Sequence, residues 1–330
     1  MPAGSGTHIW LDSLYNNDGV IQPNEMEIAP FQDQANYVLI RTFTDEYIRT
    51  DNVGLDQSLE LSPKAVWFSE EGVKKFISRF ATRSSLRIDR KTQDSPAVQA
   101  ANPFQLELPD SALVSVSSII RNTLFFNQSS TVFNFQLGQN ETSRRFVQTS
   151  GFEARTLQEY FFKSRWNINP QWSINLSASK GNKGSNSEFF NEKDYDLAFL
   201  ELEPELTWLP SKVFRFKLAI RYRTDEDVLE TGGASASQKD LSLEATFRKT
   251  AKSSFQLNFS YVDVNFVGQP ATPVGFAILN GLQNGKNLLW NIDLRRQLSS
   301  SIQLSIGYEG RKTGTAQVIH TGRAQVRALF

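Results

Sequence analysis

From residue 76 to the C-terminus the chain alternates with a period of two, in about twelve segments of roughly 9–17 residues between polar connections. They read as strands 76–90, 113–127, 131–139, 152–168, 172–180, 192–208, 213–223, 239–248, 254–266, 286–298, 302–310 and 316–330. No 3.6-residue period competes with this pattern. Each segment sets a small or apolar face against a polar, charged one, so the sheet must meet an apolar medium on one side only. In the last segment Gly322, Ala324, Val326, Ala328 and Phe330 share one face with His320, while Arg323, Gln325 and Arg327 share the other.

The connections add a second regularity. Those near Gln128, Asn169-Pro170, Leu209 to Ser211, Lys249 to Ser253 and Ser299 to Ser301 are short. The connections 91–112, 140–151, 181–191, 224–238 and 267–285 are long, and 311–315 is the exception. Short turns on one side and long loops on the other mark the two ends of an outer-membrane β-barrel. The predicted fold is therefore an all-β, antiparallel transmembrane β-barrel of about 12–14 strands, closed by strand 316–330, with Phe330 at the short-turn end. The tail resembles the C-terminal assembly signal of such barrels, carried by Gly322, Val326, Ala328 and Phe330.

Composition agrees by exclusion. Thirty-five basic residues balance 35 acidic ones, so charge points to no nucleic acid. Cysteine is absent, which excludes thiolate metal sites and Cys nucleophiles. Mean hydropathy is −0.38, and no apolar run approaches the roughly 18 residues of a membrane helix.

Register provides a test. A three-residue turn after Trp208 sets Leu206, Pro204, Leu202 and Leu200 against Phe214, Phe216, Leu218 and Ile220, and on the other face Glu205 against Arg215 and Glu203 against Lys217. Likewise Phe247, Ala245, Leu243 and Leu241 would face Phe255, Leu257, Phe259 and Tyr261, and Leu298, Leu294 and Ile292 would face Ile302, Ile306 and Tyr308. Trp166, Trp172 and Trp208 lie beside short turns, whereas Tyr222, Tyr261, Trp290 and Tyr308 lie toward the long loops, as two aromatic girdles at membrane interfaces would. The charged face, including Arg79, Arg83, Arg87, Glu201, Glu203, Glu205, Arg215, Lys217, Arg221, Arg223, Arg323 and Arg327, would line the lumen as ion-pair ladders or a wet channel. Strongly basic strands 76–90 and 213–223 suggest a preference for anionic solutes. A soluble β-sandwich also alternates and is the alternative fold.

Residues 1–35 read as an N-terminal loop region and 36–330 as the barrel, with strand patterns at 34–50 and 55–61. No signal peptide opens the chain, so an exported barrel implies an upstream part of the same protein carrying it. Asn16-Asn17-Asp18-Gly19 with Glu25 resembles the second part of an EF-hand-type calcium loop. Leu14 stands where its first Asp belongs. A two-residue insertion would let Asp12 reach a Ca2+ ion, joined by Asn16, Asp18, the Val20 carbonyl and Glu25; an Asn/Asp/Gly turn is the alternative. No other cofactor is indicated.

Catalytic constellations are absent. His8 and His320 are the two imidazoles of the chain, and Ser305 has the opposite parity to His320, so no Ser/His pair forms. There is no Gly-rich phosphate loop, GxSxG or HExxH. A barrel lipase or protease stays as a second alternative to a pore, export or surface-assembly role.

Several phrases carry a family resemblance: GTHIWLD, NNDG and EMEIA near the start, FQDQANY at 31–37, LNGLQNGKNLLWN at 279–291, and YEGRKTG with VIHTGRAQVRALF at the end. The chain resembles the C-terminal region of large, poorly characterised outer-membrane or surface proteins of the Bacteroidota. The resemblance implies an outer-membrane address, the lipid bilayer and the outer-membrane assembly machinery as partners, and a longer parent protein.

Overall fold

The computed structural model describes residues 4–15, 17–40, 49–93, 102, 113–148, 151–229, 232–249 and 253–328. An N-terminal unit pairs two short strands, β1 (His8–Trp10) and β2 (Met26–Ile28), and Tyr37 bridges back to His8. Thirteen strands follow: β3 (Asp51–Leu61), β4 (Phe80–Thr92), β5 (Leu113–Phe126), β6 (Phe133–Gln148), β7 (Gly151–Asn167), β8 (Trp172–Ser187), β9 (Tyr195–Trp208), β10 (Phe214–Asp227), β11 (Ser235–Lys249), β12 (Ser253–Val267), β13 (Gly285–Gln297), β14 (Ile302–Thr313) and β15 (Ile319–Ala328). They form one antiparallel sheet in sequence order, with β3 and β15 as its edges. Helices α1 (Lys64–Trp67) and α2 (Val73–Ile77) join β3 to β4, and α3 (Pro273–Leu279) lies between β12 and β13.

The sheet is inside out by the standard of a soluble protein. On its apolar face Ile220 is 53%, Leu243 48% and Val326 67% exposed, while lumen-side Asp225, Gln238 and Thr246 are nearly covered. Water would not tolerate so continuous an apolar surface, and lipid requires one.

Distances along the chain require strong curvature. Ile28 and Glu27 line a cavity with Thr142 and Arg144 of β6, while Asp33 pairs with Arg311 of β14. In a flat sheet, eight strand spacings would separate β6 from β14 by about 38 Å, yet the five residues from Ile28 to Asp33 span at most about 17 Å. The wall therefore wraps around its contents as a transmembrane β-barrel.

Most expected strands and turns are present, with four differences. Phe76 lies in α2 rather than on a strand, so Arg79 sits in the turn before β4 and not on the lumen wall. The alternation there was ambiguous because spacing i, i+4 satisfies both periods, and the helix still brings Phe76 to 5.5 Å from Phe80. The β6–β7 connection is a tight hairpin, since Gln148 pairs with Gly151. β8 likewise runs on to Ser187, well past its expected end. Beyond the apolar band both faces are polar, so alternation fades while backbone pairing continues. The pattern at 34–50 is no strand over its described residues 34–40 and 49–50; 41–48 lie outside the described residues.

Register is confirmed at two hairpins. Phe247 opposes Phe255 and Leu241 opposes Tyr261, and Leu294 opposes Ile306 with Ile292 against Tyr308. At β9–β10 it is slipped by four residues: Trp208 opposes Phe216, and Leu202 opposes Tyr222. An even slip keeps every face, so hydrophobic patterning cannot detect it. Strand stagger is what closure of a tilted barrel demands, and Pro204, with no N–H to donate, falls in the gap of this ladder.

One more layer was not expected. Leu197, Ala236, Val262, Val264 and Phe266 carry lumen parity, and α3 buries Ile278 and Leu279 against them. Thr272 caps the helix, accepting from Gly275 N at 3.0 Å, and Gln238 Nε2 donates to Ile278 O at 3.1 Å. Asn287, fully buried, holds the return to β13: its Nδ2 donates to Gln283 O at 2.8 Å and Gly285 O at 2.9 Å, and its Oδ1 accepts from Gln283 N at 3.0 Å. Asn287→Leu strands these backbone groups, so it is expected to lower stability by about 1–3 kcal/mol. Urea unfolding in detergent, together with protease cutting within 268–284, checks this.

Candidate functional site

The site is the lumen and what fills it. Across β9, β10 and β11 a ladder of opposite charges runs along the inner wall. Lys217 Nζ lies 2.7 Å from Glu205 Oε2, Arg221 Nη2 is 3.1 Å from Asp240 Oδ2, and Arg223 reaches Glu201 at 3.0 Å and Asp225 at 2.7 Å, while Arg215 pairs with Glu244. The expected partners, Glu205 with Arg215 and Glu203 with Lys217, are thus replaced through the four-residue slip. Glu203 lines a common pocket with Arg221 and Asp240. All four β10 cations have carboxylate partners, so that strand brings no basic surplus to the lumen. Arg83 pairs with Glu60 at 2.9 Å and Arg87 with Asp89 at 2.8 Å, both well exposed. On β15, Arg323 approaches Glu309 at 3.5 Å, and Arg327 opposes Gln303.

Into this lumen reaches the N-terminal unit, held at two walls. At β14, Asp33 accepts a bidentate pair from Arg311, with Nη2–Oδ2 at 2.7 Å, and the guanidinium lies 3.9 Å over the Phe31 ring. Between β8 and β9, the buried Lys193 sits 4.8 Å over the Tyr15 ring and 3.8 Å from Glu153. Burial pulls the Lys193 ammonium below the usual lysine range, with Glu153 and Glu27 opposing that pull. Burial, reinforced by Glu27, holds the Tyr15 phenol far above its usual range, so it stays protonated and donates to Glu27 Oε1 at 2.9 Å. A third contact comes from α3. Gly281, at φ 83°, follows the left-handed cap Asn280, and a Cβ there would come within 2.7 Å of Phe31 and Pro30.

These contacts unite three of the phrases that carry the family resemblance. FQDQANY supplies Phe31 and Asp33, LNGLQNGKNLLWN supplies Asn280, Gly281 and Asn287, and YEGRKTG supplies Arg311. Sequence reasoning left Asp33, Lys193, Asn287 and Arg311 unassigned. One signal was present: in Val262-Asp263-Val264-Asn265-Phe266 the apolar parity reverses, because at that height the inner face has a helix to cover.

The aromatic residues expected to form two girdles lie on the outward face. Beside the short turns Trp172 stacks on Trp208 at 5.5 Å, Trp208 on Phe216 at 5.4 Å, and Trp166 opposes Phe133. Toward the long loops Tyr222 is exposed, Tyr261 opposes Leu288, and Trp290, Tyr308 and His320 cluster, with Tyr308 Oη 2.9 Å from His320 Nδ1. Ser305 opposes Gln325 and thus shares the inner face, away from His320. Gly322, Ala324, Val326 and Ala328 lie on the outward face of β15, and Phe330 lies outside the described residues.

No protein-family model matches the chain, and no curated protein matches it. Among solved structures, it is similar to CdiB from Acinetobacter baumannii, at 10% identity and a TM-score of 0.42, over 85% of this chain and 54% of that one. The match thus spans about half the length of CdiB. It is also similar to OmpT, an outer membrane protein of Vibrio cholerae (8% identity, TM-score 0.32, 80% of this chain and 86% of that one), and to the translocator domain of the autotransporter NalP from Neisseria meningitidis (8%, 0.28, 85% and 88%). The reading of the chain rests on its own geometry.

Proposed function

We propose that this chain is an outer-membrane β-barrel acting without catalysis as a pore, export or surface-assembly component, with residues 4–37 as a displaceable gate in its lumen. The observation that carries the reading is the inverted sheet: an apolar, aromatic-girdled exterior around a charged interior that grips the N-terminal unit at Arg311 and Lys193. In this reading the short turns face the periplasm, where Phe330 meets the assembly machinery. The barrel belongs with the surface proteins of the Bacteroidota that its sequence resembles.

The absence of native cysteine makes the test simple. Single cysteines at Leu243 and Ala324, and at their neighbours Ser242 and Gln325, are labelled with a fluorophore after reconstitution into liposomes. Brominated lipid should quench the first pair strongly and the second weakly. Equal quenching at all four, or failure of the folded protein to enter liposomes, would favour the soluble β-sandwich instead.

A further inference from the structure

The loop between β1 and β2 gathers three carboxylates that nothing on the lumen wall explains. Oxygens of Asp12, Asp18 and Glu25 lie within 4.8 Å of one another. Glu25 is fully buried. Its Oε2 accepts from Trp10 Nε1 at 2.7 Å and from Gln22 N at 3.3 Å, but its Oε1 has no partner. Asp12 repeats the arrangement: Oδ2 accepts from Gly19 N at 3.0 Å, and the buried Oδ1 has none. Asp18 completes the group, its Oδ1 accepting from Val20 N at 2.7 Å and its Oδ2 from Gln22 Nε2 at 2.9 Å. An ionised carboxylate buried with an unmet oxygen is costly, and two such oxygens beside a third carboxylate call for a cation.

We propose that Asp12, Asp18 and Glu25 bind a Ca2+ ion. The donors are all oxygen, with no imidazole and no thiolate, which selects a hard cation over zinc or copper. Their irregular spacing along the chain suits the flexible coordination of Ca2+ better than the strict octahedron of Mg2+. The Gly19–Asp12 bond draws the first carboxylate across the two extra residues that separate this loop from an EF-hand, so the insertion closes onto the site. Asn16 lies outside the described residues. The ion ties the segment before Tyr15 to the segment before Glu27, and so orders the edge of the gate that Lys193 grips.

Trp10 provides the probe. In the refolded full chain in detergent, Tb3+ luminescence excited through tryptophan should appear on titration and be displaced by Ca2+ at concentrations at least tenfold lower than Mg2+. Glu25→Gln and Asp12→Asn should weaken Tb3+ binding by 100-fold or more. Asp18→Asn, at an exposed position, should weaken it at least tenfold without disturbing packing. Trp10→Phe should remove the sensitised signal while calorimetry with Ca2+ alone still registers binding. Unchanged affinity in Asp18→Asn and Glu25→Gln, or no Ca2+ heat up to millimolar concentrations in the wild type, overturns the proposal.

Discussion

A chain carrying Arg311→Ala and Lys193→Ala should conduct in planar bilayers where the wild type stays largely closed. Arg311 contributes two charge-assisted bonds to Asp33, worth about 1.5–3 kcal/mol together once screening at the half-open Asp33 carboxylate is allowed for. Lys193 adds about 0.5–1 kcal/mol over the Tyr15 ring. Their combined loss shifts the docked population roughly 30-fold or more toward the free form, and open events should rise in proportion. Neither residue belongs to the charge ladder across β9, β10 and β11, so heat-modifiable mobility should not change. The compensated β10 ladder further predicts weak ion selectivity in the opened variant. Wild-type openings as frequent as the double variant's would show that the N-terminal unit does not gate the lumen.

The second large effect separates the two faces of one strand. Leu243 lies on the apolar face of β11, between the Phe247–Phe255 and Leu241–Tyr261 pairs. Leu243→Arg is expected to destabilise folding into liposomes by about 2–4 kcal/mol, the cost of a guanidinium near the bilayer midplane. Ser242→Arg, one residue away on the inner face, meets Asp240 and Glu244 in the wall pocket and should change stability by less than about 1 kcal/mol. Urea titration of the folded band on unheated gels measures both. Equal losses would mean that lipid does not cover the Leu243 face.

How much of this was legible depended on where the information resides. Alternation gave β11, β12, β13 and β14 their faces, and two of the expected hairpin registers match residue for residue. It could not give the β9–β10 register, because an even slip leaves every side chain on its own face of the sheet. Strand lengths were shortened wherever both faces became polar, as at Gln139 to Arg145. The lumen contacts fared worst: Asp33 and Arg311 stand 278 residues apart, and neither has a local pattern that marks it.

The chain by itself determined that it would form a ladder of amphipathic strands and which residues would share each face. Those features follow from a period of two, which is local. Only the tertiary structure decided that the sheet curls around its own N-terminal segment and that α3 is an inner layer. Those features depend on closure, which brings distant residues within bonding distance and leaves no periodic trace in the sequence.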